Sequence, residues 1–300
     1  MQFRKQGSGK ERKADRRWVL AGSLIVVGLL LLFFFGGLRQ YRIEQEKEWY
    51  EKSPVICHAL GMTEDGDMLT NSREAFLYNY NAGQRIFEAD VALTSDNVAV
   101  LRHDWASDLG QKASFGWTEE EKRIPTAEEF LQAPVYGKYT PMSLLDLYRE
   151  MQEKEDIYVV LDPKYSSDVP SQFTVLVNTA LENGCEEVLD RIVVQLYYEQ
   201  MYDEVESVYH FKNYLYTLYY IEWPGGEKVG SFCEEKDIPV LVLPTWMYEM
   251  VQEEIEGYPV RLYVHTVDEV EIARRMISLG VDGIYSDCIT PEEMEQLLNE

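Results

Sequence analysis

Residues 86–94 read IFEADVALT, and residues 157–164 read IYVVLDPK. Each is a short run of β-branched, aliphatic and aromatic residues, the composition of a buried strand, and each carries charge that such a run does not need. The charges follow a rule. Glu88 and Asp90 are two apart, as are Asp162 and Lys164, and residues i and i+2 of a strand share a face. Working outward, similar runs recur along the chain. Residues 54–60 form a first candidate strand, 86–94 the second with a hairpin-like return at 98–103, and 157–161 the third. Residues 191–196, 214–221, 239–243, 262–265 and 283–286 follow as strands four to eight.

Helical patterns separate these runs. Residues 70–82 and 141–152 read as the first two helices. Residues 268–279 place Val270, Ala273, Met276 and Ile277 on one face. Thr290, Pro291 and Glu293 spell the start of a last helix, with a capping box and a proline at its first position. Residues 104–140 are polar and irregular, so a long loop is expected there. Eight strands alternating with helices over some 250 residues point to an α/β protein with a (β/α)8 TIM barrel at residues 54–300. No internal repeat interrupts the pattern.

The chain of 300 residues has a formal net charge of −25, unevenly spread. Residues 1–17 hold seven basic and two acidic side chains, a net +5 that leaves −30 on the remainder. A domain that acidic repels nucleic acid and anionic lipid surfaces, so neither is an expected partner. Residues 18–38, WVLAGSLIVVGLLLLFFFGGL, contain no charge and are long enough to cross a bilayer as a helix, longer than the core of a signal peptide. The basic flank places residues 1–17 in the cytoplasm. The expectation is a single-pass membrane protein with one N-terminal transmembrane helix (18–38), a charged stalk (39–53) and an extracytoplasmic barrel. Cys57, Cys185, Cys233 and Cys288 show no metal-type spacing, and their pairing is left open by the sequence, with buried free thiols the favoured reading.

In a (β/α)8 barrel the chemistry lies at the C-terminal ends of the strands. His58, Glu88, Asp90, His103, Asp104, Asp162, Lys164, His265 and Asp287 all fall at or just beyond such ends, and they include three of the four histidines. Should Glu88, Asp90 and Asp162 face inward, three like charges meet at the mouth and call for a compensating cation. Oxygen-only donors suit Mg2+ or Ca2+. The alternative is that these are solvated strand-end charges. The fourth histidine, His210, reads as a surface residue. Trp105, Trp117, Tyr136 and Tyr139 either pack or form a loop over the site.

Several segments, taken in order, resemble the glycerophosphodiester phosphodiesterase family. They are His58-Ala59-Leu60-Gly61, Thr70-Asn71-Ser72, Glu88-Ala89-Asp90-Val91, Leu93-Thr94-Ser95-Asp96 and His103-Asp104. Ile124-Pro125-Thr126, Leu161-Asp162-Pro163-Lys164, Val193-Val194-Gln195 and the run from Gly280 to Asp287 continue the series. The resemblance spans roughly residues 54–300. It implies a hydrolase of phosphodiesters bearing a neighbouring hydroxyl. His58 and His103 would be its acid–base pair, and Glu88, Asp90 and Asp162 would hold one divalent cation, Ca2+ or Mg2+. Lys164, Asn71, Gln195 and His265 would line the phosphate and substrate pocket. The implied substrate is a small-molecule or lipid-headgroup phosphodiester. The chain departs from the family's usual His-Arg-Gly, Glu-Asn-Thr, third Glu ligand and Trp-Thr-Val at residues 58–61, 70–72, 162 and 265–267. The missing arginine keeps a second class open, a catalytically inactive barrel that binds a phosphorylated ligand.

Overall fold

In a computed structural model of the chain, residues 47–105, 123–163, 168–219 and 222–300 are described. The basic tail, the 18–38 segment, most of the stalk, Trp117 and Lys164 lie outside them. Among the described residues no helix is long and apolar enough to cross a membrane.

Residues 86–94 do form a strand, β2 (Ile86–Leu93), following β1 (Val55–Cys57) and helix α1 (Arg73–Asn81). The chain continues through β3 (Ala99–Leu101), α2 (Ala127–Leu131), α3 (Leu144–Glu153), β4 (Tyr158–Pro163), α4 (Val169–Glu182) and β5 (Ile192–Leu196). It ends through α5 (Glu199–Glu206), β6 (Asn213–Thr217), α6 (Gly226–Glu235), β7 (Val240–Pro244), α7 (Thr245–Ile255), β8 (Arg261–His265), α8 (Val270–Ser278), β9 (Gly283–Ser286) and α9 (Pro291–Leu298). The sheet order β1-β9-β8-β7-β6-β5-β4-β2, closed by β1 against β2, is a parallel eight-stranded barrel. β3 lies antiparallel on the upper part of β2. Because β1 is short and meets β2 only at Phe87, the edge of β2 from Val91 to Leu93 is left for β3 to cover.

Side chains alternate between two apolar layers. Val55, Cys57, Phe87, Ala89, Val159, Leu161 and Val194 face the helices. Ile56, Ile86, Val160, Val193, Leu215, Val240, Val242, Tyr263 and Tyr285 fill the lumen. Trp49 is buried with the lumen group, and Tyr50 packs against it, so the last residues of the segment read as a stalk belong to the barrel unit, Trp49–Glu300. Gly283 permits this packing, since a Cβ there would lie 2.4 Å from the Tyr263 ring.

Several sequence expectations need correcting. The first strand stops at Cys57, and a 3-10 turn, His58–Leu60, replaces residues 58–60 of the expected strand. Ala59 (φ 48°) and Leu60 (φ 64°) are left-handed there, and the Ala59 N–H is turned onto Glu88. Residues 70–72 precede the first helix: Ser72 caps it and bridges Pro141. The second helix starts at Leu144 behind a Ser143–Asp146 capping box, and the fifth barrel strand, β6, ends at Thr217. The long loop contains α2, entered through a Thr126–Glu129 capping box, and a Val135–Tyr139 bridge. The last helix is capped by Thr290 and Glu293 as expected. All four cysteines are free thiols, and Cys57, Cys185 and Cys233 are buried.

Candidate active site

Alternation along the strands decides what reaches the mouth. Glu88 and Asp90 share the inward parity of Ile86, Asp162 that of Val160, Gln195 that of Val193, and His58 that of Ile56. β2 and β4 are in register with Asp90 directly opposite Asp162. The three carboxylates are buried, and one oxygen from each lies within 4.8 Å of the others. The donor set is all oxygen, close enough to share a single ion, and three buried like charges need one. These residues therefore fit a hard divalent cation.

Each carboxylate accepts a hydrogen bond that helps to fix it. The Ala59 N–H donates to Glu88 Oε2 at 2.7 Å. Asn71 clamps Asp90 from both ends, with Nδ2 donating to Oδ2 at 2.7 Å and Oδ1 accepting the Asp90 N–H at 3.1 Å. Asn71 reaches this position from a left-handed backbone (φ 47°). The Tyr197 hydroxyl donates to Asp162 Oδ1. The left-handed residues Ala59, Leu60 and Asn71 thus cluster on one wall of the site, where backbone strain is usually found. Gly61 (φ 86°) completes that wall. A Cβ there would lie 2.3 Å from Asn79 Nδ2, which donates to the carbonyls of Leu60 and Met62.

His58 sits beside this group, with Nε2 4.0 Å from Glu88 Oε2. Register brings it to Asp287: Cys57 pairs with Ser286 in the β1–β9 ladder, so the next residues of both strands meet. His58 Nδ1 donates to Asp287 Oδ1 at 3.1 Å. Asp287 is fixed in turn through its N–H, which donates to Asp268 Oδ1 at 2.7 Å. Burial works against a charge on His58, but the hydrogen bond to Asp287 and the fields of Glu88, Asp287 and Asp90 outweigh it and push the imidazole up to about 9.

His103 follows β3 and forms a second dyad of the same kind, with Nδ1 2.5 Å from Asp104 Oδ2. Its segment is tied to the site because Arg102 N–H donates to the Asp90 carbonyl. His265 lies edge-on to His58 at 5.0 Å between ring centres and leans on Tyr219 at 4.3 Å. Gln195 is buried, with Oε1 accepting from Tyr285 at 2.9 Å and Nε2 donating to Tyr197 at 3.0 Å. Trp105 packs on Phe130 and under Arg102, and Tyr139 is buried beside Val135. His210 is exposed and paired with Glu206.

The structure therefore brings together His58, Asn71, Glu88, Asp90, Asp162, Gln195 and His265, with His103 on the adjoining strand return. Sequence reading assigned no role to Asp287, Asp268 or Tyr197. Asp287 was marked only by its place at the end of the last strand, and its pairing with His58 was not foreseen. Nothing in the sequence around Tyr197 indicates its bond to Asp162.

No protein-family model matches the chain, and no curated protein matches it in sequence. Solved structures do match. A glycerophosphodiester phosphodiesterase of Parabacteroides distasonis is similar at 16% identity and a TM-score of 0.61, over 83% of this chain and 98% of that one. A phosphodiesterase of Oleispira antarctica, solved with the product sn-glycerol-3-phosphate, is similar at 14% identity and 0.62, over 85% and 100%. A glycerophosphodiester phosphodiesterase of Thermotoga maritima is similar at 20% identity and 0.56, over 82% and 97%. The barrel is thus of the glycerophosphodiester phosphodiesterase fold, and at these identities the likeness is one of architecture.

Proposed function

We propose that the protein hydrolyses a phosphodiester bearing a neighbouring hydroxyl, with the help of one divalent cation, Ca2+ or Mg2+. The observation that carries this reading is the meeting of Glu88, Asp90 and Asp162 at the barrel mouth beside a histidine held by a carboxylate. The fold shared with glycerophosphodiester phosphodiesterases supports it.

Glu88, Asp90 and Asp162 would hold the cation, which supplies charge to offset that developing on the phosphoryl oxygens. His58 and His103 each have Nδ1 engaged by an aspartate, so each has Nε2 as its working atom. One Nε2 takes the proton of the neighbouring hydroxyl as its oxygen attacks phosphorus. The other gives a proton to the departing alkoxide, leaving a cyclic phosphate that water opens with the roles reversed. Lys164, Asn71, Gln195 and His265 belong to the phosphate and substrate side of this proposal. The substrate class is a small-molecule or lipid-headgroup glycerophosphodiester. The uncharged segment at 18–38 and its basic flank support a barrel tethered on the extracytoplasmic side of the cell membrane.

The test is turnover of a panel of phosphodiesters, with and without a neighbouring hydroxyl, by the full chain before and after chelation. Hydrolysis confined to hydroxyl-bearing substrates and lost on chelation is expected. A binding-only barrel is the second reading. Ala59 and Leu60, buried where the family's arginine is missing, favour it. Tight binding of glycerophosphodiesters without turnover of any would establish it instead. Protease added to intact cells should remove the barrel while an N-terminal tag survives.

A further inference from the structure

Glu88 and Asp90 are held by groups on the same wall of the barrel, the 58–61 turn and Asn71. Asp162 is held differently. Tyr285, on β9, reaches across the lumen to Gln195 on β5, which is not a neighbouring strand. Gln195 passes the contact to Tyr197, and Tyr197 to Asp162 on β4. The direction of this chain is forced. With Tyr285 donating to Gln195 Oε1, the amide nitrogen is left to donate to Tyr197, whose single hydroxyl proton goes to Asp162. Three groups therefore donate in sequence toward one carboxylate, and charge-assisted bonds of this kind are the stronger ones.

Building on the cation reading, we propose that Tyr197 is a positioning residue for the centre. Its phenol, braced by Gln195 and Tyr285, fixes the direction in which Asp162 presents its oxygens to the ion. A short carboxylate on β4 must be held toward its register partner Asp90 to share an ion with it, and the Tyr197 hydroxyl donates to its Oδ1. Groups that orient a ligand in this way typically contribute about 10–100-fold to metal affinity.

The test is calorimetric titration of the full chain with Ca2+ alone and Mg2+ alone, at a temperature where every variant is folded by circular dichroism. Tyr197→Phe removes only the hydroxyl and should weaken cation binding by about 10–100-fold. Tyr285→Phe, which does not touch Asp162, should weaken it less, in the same direction. Asp162→Glu alone should also bind poorly, because the longer side chain meets the phenol. Asp162→Glu combined with Tyr197→Phe should bind more tightly than either single variant. A merely structural tyrosine would lower the melting temperature in chelator and leave the affinity alone. If wild type binds a cation and Tyr197→Phe binds it within twofold of wild type, the positioning role is wrong and the cation site stands. If wild type binds neither ion, both readings fall together.

Discussion

Asp287→Asn probes the coupling between the carboxylate and His58. The substitution keeps the shape of the side chain and removes the charge that receives the His58 Nδ1 proton at 3.1 Å. A hydrogen bond to a charged group is worth about 1.5–3 kcal/mol, and about 1.4 kcal/mol is a factor of ten, so kcat should fall by roughly 10–100-fold. A second consequence appears without substrate. His58 is raised from 6.5 to about 9, so its protonation stabilises the folded state fully below pH 6.5, and this stabilisation is lost as pH rises through 9. The raised value, 6.5 to about 9, corresponds to about 3 kcal/mol, or roughly 6–12 °C in melting temperature for a domain of this size. Among the causes that raise His58, the bond to Asp287 is the largest. The decline in melting temperature between pH 6.5 and 9, recorded in chelator, should therefore shrink by at least half in Asp287→Asn. Parallel melting curves for the two proteins across that window, with kcat within twofold, would refute the dyad.

Three further outcomes can be measured. His58→Ala and His103→Ala should each lower kcat by about 10²–10⁴-fold while the circular dichroism spectrum is kept, and the double variant should be little worse than either, because the two act as one unit. Ca2+ or Mg2+ at about 100 times its dissociation constant should stabilise the wild-type protein by about 2.7 kcal/mol in thermal melts, and Asp90→Asn should abolish the increment. Gly61→Ala should destabilise the barrel by at least about 2 kcal/mol in denaturant titration, since the new methyl group meets Asn79 and Cys57 at a left-handed backbone position.

The order of the strands and the convergence of Glu88, Asp90 and Asp162 were legible in residues 86–94 and 157–164, because both follow from local chemistry. A two-residue period makes side chains on one strand share a face whatever surrounds it, and apolar runs between helical patterns leave few alternatives to a parallel barrel. The strand ends also marked His58, His103 and His265. Boundaries were less legible. Residues 58–60 look like strand until the backbone turns left-handed to give the Ala59 N–H to Glu88, and α2 was hidden in a polar segment whose capping box lies at Thr126 and Glu129. What holds the site together belongs to the closed ring. His58 and Asp287 are 229 residues apart and become neighbours only when β9 pairs with β1. Tyr285 meets Gln195, 90 residues away, only because the barrel curls until opposite strands face each other across the lumen. Sequence periodicity records which face a side chain takes. Which partner it finds there depends on closure and register, set by the packing of all eight strands at once.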